Sequence, residues 1–178
     1  MKLFAKFFGR WLGFRYRLDI KGLELLDRKS SHLILPAHVA YVDPMLLYCV
    51  LRAKVVLRPL ASRKFYDNLI LKPFFKLWGA IPVEDFEKDQ GGTAEAEQLM
   101  QSLKTHVLQG ENILLYPQGV LAKQGYQSII GKKTAFYACQ VLPETTKILA
   151  VSFRGLWGSR SSTAWDGKSP NLLWFFVR

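Results

Sequence analysis

Cysteine is scarce in this 178-residue sequence, which contains Cys49 and Cys139 alone. Both lie in apolar segments that are typical of helices, and neither has a histidine at a metal-ligand spacing. They therefore predict reduced core residues of the kind found in cytosolic proteins, rather than a disulfide framework or a metal site. The sequence implies no metal and no prosthetic cofactor.

Long apolar runs are also missing. No stretch approaches the roughly 18 apolar residues that a membrane-spanning helix requires, although apolar residues make up 49% of the chain. A secretory signal fits poorly, because Lys6 and Arg10 interrupt the apolar N-terminus and no small-residue cleavage site follows. The length predicts one domain with a core of its own.

Acidic residues are few, 14 against 25 lysines and arginines, which gives a formal net charge of +11. Such a balance favours an anionic partner: nucleic acid, a phosphorylated metabolite or an acidic membrane surface. We expect no nucleic-acid partner, because the basic residues are interleaved with large apolar ones and no recognition module is present.

Residues 1–17 predict a cationic amphipathic helix. One face carries large apolar side chains and the other is purely basic; the two sets are Leu3, Phe4, Phe7, Phe8, Trp11 and Leu12, and Lys2, Lys6 and Arg10. Such a helix can lie in a membrane interface, with its basic face against lipid phosphates. The alternative is a helix packed on the domain's own core, and the absence of acids on the polar face favours the interface.

From residue 18 onward, short apolar strands alternate with helical patterns. The predicted strands cover 18–23, 33–35, 55–57, 80–83, 113–116, 148–153 and 172–177, and the predicted helices cover 45–51, 65–78 (split by Pro73), 93–108 and 134–142. This alternation predicts an α/β domain over 18–178, with a mostly parallel central sheet flanked by helices. Ligands of such sheets bind at the carboxyl ends of the strands.

One strand-to-helix loop has a spacing suited to catalysis. Pro36 ends the strand, and His38 follows in the loop. Asp43 and Pro44 then predict a helix start, with Asp43 as the N-cap. If the loop brings the two side chains together, the carboxylate fixes the imidazole tautomer and the other ring nitrogen can accept a hydroxyl proton. From the spacing alone, a simple helix cap beside a polar loop histidine is the alternative.

Four segments follow one another along the chain: Ala37 to Pro44, Gly79 to Val83, Leu115 to Gly119, and Ile148 to Phe153. In this order they resemble the motif blocks of the glycerophospholipid acyltransferases, the lysophosphatidic acid acyltransferase type, with coverage from about residue 15 to the end. Arg154 to Ser159 further resembles the acyltransferase half of bacterial proteins that reacylate 2-acylglycerophosphoethanolamine and often carry an acyl-ACP synthetase domain.

The resemblance implies transfer of a fatty acyl group from acyl-CoA or acyl carrier protein (acyl-ACP) to the free hydroxyl of a lysophospholipid or acylglycerol phosphate. It implies that His38 takes the hydroxyl proton, that Asp43 orients the imidazole, and that no acyl-enzyme forms. The expected partners are the acyl donor and a membrane lipid surface, and the expected location is peripheral, on the cytoplasmic side of the membrane. Since family domains usually continue beyond this point, the chain is expected to be truncated or part of a longer protein.

The third block implies an acceptor-phosphate site. Backbone N–H groups and a lysine suit a phosphate, and the residues assigned to substrate binding are Gln118, Gly119 and Lys123, with Arg63 added because it would line the same edge. The alternative for Lys123 is a solvated surface charge.

Both the second and third blocks depart from the family's usual form. Gln118 stands where glutamate is usual, and Leu121 or Lys123 stands where an arginine is usual. Glu84 and Asp85 follow the second block, where an arginine is frequent. A phosphate monoester would lose its bidentate partner, so we expect a phosphodiester acceptor such as lysophosphatidylethanolamine, whose ammonium an acidic pair could meet. The same departures leave open a catalytically weakened or inactive lipid-binding module of this fold.

Overall fold

The computed structural model describes residues 16–84, 94–123, 125–126 and 133–164. The strands are β1 (His32–Pro36), β2 (Leu57–Ser62), β3 (Ile81–Val83), β4 (Asn112–Leu114) and β5 (Lys147–Val151). The helices are α1 (Asp43–Arg52), α2 (Arg63–Tyr66), α3 (Lys72–Trp78), α4 (Ala94–Leu108) and α5 (Thr134–Val141), with a 3-10 turn at Leu23–Leu25. Within the described ranges, no helix is both long enough and apolar enough to cross a bilayer.

The five described strands form one sheet in the order β3-β2-β4-β1-β5, and every pair is parallel. The predicted α/β architecture with a parallel sheet is therefore confirmed. The predicted helix over 1–17 lies outside the described residues apart from its last two positions, and the predicted strand over 172–177 lies entirely outside them.

Helices cover both faces of the sheet. Ile34 of β1 packs with α1 and with Trp78 at the end of α3. Its neighbour Leu33 points the other way and packs with α4 and α5. Side chains alternate across a strand, so the two residues face opposite sides of the sheet. Crossovers between parallel strands are right-handed, and the strand order runs towards one edge up to β3 and then back to β5, so α1 and α3 cover one face and α4 and α5 the other. All five strands end at one edge, and the loops there meet.

Strand β2 begins two residues later than the sequence predicted and extends through Arg58 and Pro59. It lies inside the sheet, with Pro59 in register with Leu114 of β4. A parallel strand bonds to its two neighbours from alternate residues, so one missing N–H removes a single ladder bond without ending the strand. Pro82 lies on β3, at an edge of the described sheet, where proline is best tolerated.

Three sequence predictions are wrong in detail. The two cysteines were predicted as core residues, but Cys139 is exposed and Cys49 is only partly buried, because each lies on a side of its helix that the core does not fully cover. The segment 18–23 is not a strand, because Leu18 and Ile20 are both exposed and the chain then enters the 3-10 turn.

The predicted helix over 65–78 is broken at Asp67–Leu71, ahead of Pro73, which sits in the first turn of α3. At the break, the Asn68 side chain accepts the N–H groups of Ile70 and Leu71 in place of helical carbonyls. Pro73 is compatible with the start of α3, because its missing N–H is no loss in a first turn.

An ion-pair cluster lies near the amino ends of β2 and β4. Arg58 holds Glu111 with two parallel hydrogen bonds, Nε to Oε2 at 2.7 Å and Nη2 to Oε1 at 2.6 Å. His106 Nδ1 lies 2.6 Å from the same Oε2. The hydrogen bonds from Arg58, and to a smaller extent from His106, hold the pKa of Glu111 below its usual value, against the opposing effect of burial.

Glu111→Gln is expected to lower the free energy of unfolding at neutral pH by about 1–2 kcal/mol, because it removes a charge-assisted bidentate pair. A depressed carboxylate pKa stabilises the fold above the unfolded value and ceases to do so as the pH falls through the folded value. The difference between wild type and variant should therefore shrink below about pH 4.5. Urea unfolding across a pH series measures this difference.

Asp67→Asn, in the exposed pair with Lys72, is the control and should change the free energy of unfolding by under about 0.5 kcal/mol. A pH-independent difference for Glu111→Gln would contradict the account.

Candidate active site

The loop between β1 and α1 brings His38 and Asp43 into contact. His38 Nδ1 lies 3.0 Å from Asp43 Oδ1 and 3.2 Å from Oδ2. A carboxylate only accepts hydrogen bonds, so Nδ1 carries the proton and Nε2 remains to accept one from a substrate. The imidazole is 17% exposed, whereas the Asp43 side chain is fully buried. The arrangement suits a general base that is reachable from solvent and oriented from within.

Asp43 is held differently from the predicted helix cap. Val42 takes the N-cap position, and Asp43 is the first residue of α1. Its Oδ2 accepts hydrogen bonds from the backbone N–H groups of Val39 at 2.8 Å and Ala40 at 2.9 Å. The carboxylate thus turns back to the loop that carries His38, and it shapes that loop while it orients the imidazole. Its charge also lies at the N-terminus of α1, where the helix dipole favours it.

Two other loops at the same edge hold the His38 loop in place. Ala122, from the loop after β4, donates its N–H to the His38 carbonyl at 2.8 Å. Ser161, from the segment after β5, accepts the N–H of Tyr41 at 2.8 Å through its carbonyl. The two loops are joined by Thr163, whose hydroxyl donates to the Ala122 carbonyl at 2.6 Å. Sequence reasoning missed all of these contacts, because none has a local pattern.

Tyr116 is a further neighbour that the sequence placed at this edge without a role. Its ring centroid lies 4.5 Å from that of His38, tilted by 45°. Its hydroxyl is buried near the Asp43 carboxylate, without a hydrogen bond of good geometry to any described residue. Burial, and after it the nearby Asp43 carboxylate, raises the pKa of Tyr116 well above its usual range, so the phenol stays protonated. The ring restricts the imidazole on one side.

The loop after β4 contains three of the predicted substrate-binding residues. Gly119 has a φ of 69° and donates its N–H to the Tyr116 carbonyl at 3.0 Å, which closes a turn that favours glycine. No described atom lies within 4 Å of where a Cβ on Gly119 would project, so a ligand can approach this backbone. Gln118 is 5% exposed, and its Oε1 lacks a partner among the described residues. Lys123 is exposed.

Arg63 lies at the same edge but farther along the sheet. It begins α2, directly after the end of β2, and β4 separates that strand from β1. Its guanidinium is paired with Glu84, which follows β3. The structure therefore brings His38 together with Asp43. It joins their loop, through Ala122, to the loop that contains Gln118, Gly119 and Lys123. Arg63 lies apart from both, in an ion pair of its own. No cluster of three or more potential metal ligands occurs in the described ranges.

A model of a known protein family matches the part of the sequence that forms this edge of the sheet. It is the family model named Acyltransferase, and it matches residues 17–154. The chain belongs to the Acyltransferase family. The family resemblance inferred from the four motif blocks is thereby confirmed, while the nearer resemblance to proteins that reacylate 2-acylglycerophosphoethanolamine stays a prediction.

A solved structure of similar fold agrees with this membership. It is the crystal structure of the 1-acyl-sn-glycerophosphate (LPA) acyltransferase PlsC from Thermotoga maritima, with a TM-score of 0.54 and 12% sequence identity. The superposition covers 83% of this chain and 64% of that one. At this identity the likeness concerns the fold. No curated protein sequence matches the chain.

Proposed function

We propose that this member of the Acyltransferase family is an O-acyltransferase that moves a fatty acyl group from acyl-CoA or acyl-ACP to the free hydroxyl of a lysophospholipid. The observation that carries the proposal is the contact of His38 Nδ1 with the buried Asp43 carboxylate, at 3.0 Å. It leaves Nε2 as the basic atom at the carboxyl edge of a parallel sheet, where ligands of such sheets bind.

In the proposed mechanism, His38 Nε2 accepts the proton of the acceptor hydroxyl as its oxygen attacks the thioester carbonyl. A tetrahedral intermediate forms, and its collapse breaks the carbon–sulfur bond and expels the thiolate. The proton on His38 then neutralises the thiolate, which restores the neutral imidazole. Asp43 stabilises the imidazolium through Nδ1 in the interval, and no covalent acyl-enzyme is needed because the acceptor itself is the nucleophile.

The loop after β4 is proposed to bind the acceptor head group. The approachable backbone at Gly119 and the charge of Lys123 suit one phosphate. Neither offers the bidentate fork that an arginine presents to a phosphate monoester. The Oε1 of Gln118, which lacks a partner among the described residues, is an acceptor and can receive an N–H from an ammonium head. These features support a phosphodiester lysolipid with an amine, such as lysophosphatidylethanolamine.

The enzyme is proposed to act as a peripheral protein on the cytoplasmic side of a membrane, without a metal or prosthetic cofactor. Support comes from the net charge of +11 and from the basic, aromatic residues 1–17. Tyr16, at the end of that stretch, packs against the apolar cluster beneath the His38 loop. A helix laid on the lipid surface would then end close to the site that receives the lipid.

A panel assay tests the function and the head group together. Purified protein is incubated with an acyl-CoA or acyl-ACP and with lysophosphatidylethanolamine, lysophosphatidylglycerol or lysophosphatidic acid, and mass spectrometry identifies the lipid product. We expect kcat/KM for lysophosphatidylethanolamine to exceed that for lysophosphatidic acid by about tenfold, the value of one charge-assisted hydrogen bond gained by the preferred acceptor.

Two results would count against these proposals. Acylation of lysophosphatidic acid alone would overturn the head-group preference and leave acyl transfer intact. No diacyl product from any pair, by folded protein that still binds lysolipid, would overturn the enzyme and favour a lipid-binding module of the same fold.

A further inference from the structure

The turn between α2 and α3 exposes apolar side chains to an unusual degree. Leu69 is 89% exposed and Ile70 is 77% exposed, side by side at its tip. Phe65 on α2 and Phe74 on α3 are also among the exposed large apolar residues. Exposed large apolar side chains that are grouped within ten residues in this way indicate an interaction site, whereas scattered single residues do not.

Basic residues outnumber acids in the two helices that flank this apolar tip. Residues 63–76 contain four lysines or arginines and one acid, Asp67. Two of the four are already in ion pairs, Lys72 with Asp67 at 3.0 Å and Arg63 with Glu84. Lys64 and Lys76 are exposed and have no acidic partner within the described ranges. An apolar tip with these lysines on the two helices that flank it is complementary to the interface of an anionic bilayer, where acyl chains lie beneath lipid phosphates.

The chain path places the turn on the active-site side of the sheet. α2 begins where β2 ends, at the same edge from which the His38 loop emerges. α3 then returns along the sheet, and β3 starts again from the opposite side, parallel to β2. The turn between the two helices therefore projects from the carboxyl side. A surface that touched the tip would face the edge at which His38 is reachable.

We propose that the turn Asp67–Leu71 is a membrane-docking element that inserts Leu69 and Ile70 into the interface of an anionic bilayer. The inference rests on the proposed function in one respect, that the acceptor lipid comes from a bilayer. It adds a second contact, far along the sequence from residues 1–17. Two separate contacts fix the orientation of a domain on a surface, and this orientation turns the carboxyl edge of the sheet to the lipid.

Vesicle flotation of the full chain tests the docking element. The variant Leu69→Ser/Ile70→Ser removes the apolar tip. Because both positions are exposed, the variant should keep its fold, which circular dichroism checks. Partitioning onto phosphatidylcholine vesicles that contain phosphatidylglycerol should fall about tenfold, given the apolar area withdrawn from lipid. The matched control Leu25→Ser/Leu108→Ser removes two exposed leucines that lie near the amino ends of the strands, and it should bind as the wild type does. Equal binding by the tip variant and the wild type would overturn the proposal.

A fluorescent label reports insertion even if residues 1–17 dominate the overall affinity. Bimane is attached at Ile70→Cys in a Cys139→Ser background, in which the remaining thiol reacts slowly because burial raises the pKa of Cys49. We expect a blue shift on anionic vesicles and quenching by brominated acyl chains. The same label at Leu108→Cys should show neither. A water-like spectrum at position 70 on protein-bound vesicles would overturn the proposal.

These measurements do not depend on turnover. His38→Ala should dock as the wild type does. If the wild-type protein proved inactive in acyl transfer and its turn still inserted, the proposed function would be refuted and the docking element would stand. Size-exclusion chromatography without lipid tests whether the exposed tip binds a second copy of the chain instead of a membrane. If the wild type is a dimer that Leu69→Ser/Ile70→Ser converts to a monomer, with vesicle binding unchanged, the surface is a contact between two copies and the membrane proposal is overturned.

Discussion

His38→Ala is expected to lower kcat for acyl transfer by about 10³-fold, because it removes the proposed base, which accepts the hydroxyl proton while the thioester carbonyl is attacked. KM for the lysolipid should change little, since the imidazole is proposed to act on the reacting atoms and the loop after β4 is proposed to hold the head group. Steady-state assays that follow release of the free thiol, with mass spectrometry of the lipid product, measure both constants.

The matched control is His106→Ala. His106 also contacts a carboxylate through Nδ1, but its partner is Glu111, near the amino ends of the strands. Activity of this variant should stay within about twofold of the wild type, although some stability is lost with the ion-pair cluster. Circular dichroism and vesicle binding confirm that His38→Ala is folded. If His38→Ala kept more than a tenth of the wild-type kcat, His38 would not be the general base.

The His38 loop could be predicted from sequence because each of its signals is local. The apolar run of β1, the proline that ends it, and the Asp-Pro pair that starts α1 all lie within about a dozen residues. Each depends on the intrinsic preferences of the residues involved. What the local signals did not contain was the direction of the Asp43 carboxylate. The carboxylate accepts N–H groups of the preceding loop rather than those of its own helix, because the folded loop places its N–H groups next to the carboxylate.

The elements that failed prediction depend on distant partners. Arg58 and Pro59 read as poor strand residues, and they lie in a strand because β3 and β4 pair with it on either side. Leu18 and Ile20 alternate as strand residues do, yet no described strand pairs with them. Whether a segment forms a strand depends on its neighbours as much as on its own residues. A period-two pattern can therefore predict a strand that does not form, and a strand can form where the pattern is absent.

The surroundings of the site show the same limit. The rule that parallel strands end at one edge correctly selected the loops that meet there, including the one that follows Tyr116. It could not select the atoms that touch. The ring of Tyr116 on His38, and the contacts that join the loops through Ala122 and Thr163, require chain segments separated by tens of residues to be in their final places. The one available signal was the presence of a tyrosine at a strand end beside a suspected base.

Replacement of Asp43 should separate its two tasks, since asparagine and alanine remove different contacts. In Asp43→Asn the amide oxygen can still accept the N–H groups of Val39 and Ala40, so the loop keeps its shape. The amide nitrogen then faces His38 Nδ1 as a donor, which moves the imidazole proton to Nε2 and removes the basic atom from the substrate side. We expect kcat to fall by about 10³- to 10⁴-fold, with a loss of stability of about 1 kcal/mol or less.

Asp43→Ala should cost both activity and stability. It leaves the two buried backbone N–H groups that Asp43 now accepts, at 2.8 and 2.9 Å, without a partner. We expect a loss of about 2–5 kcal/mol in the free energy of unfolding, at roughly 1–3 kcal/mol for each unsatisfied group. Urea unfolding and steady-state kinetics on both variants measure the two effects separately. An asparagine variant within tenfold of wild-type activity would remove the orienting role from Asp43, and an alanine variant as stable as the wild type would show that the loop N–H groups find water instead. The expected pattern, with activity lost in both variants and stability lost mainly in one, follows from a single buried carboxylate that shapes the loop with one oxygen and orients His38 with the other.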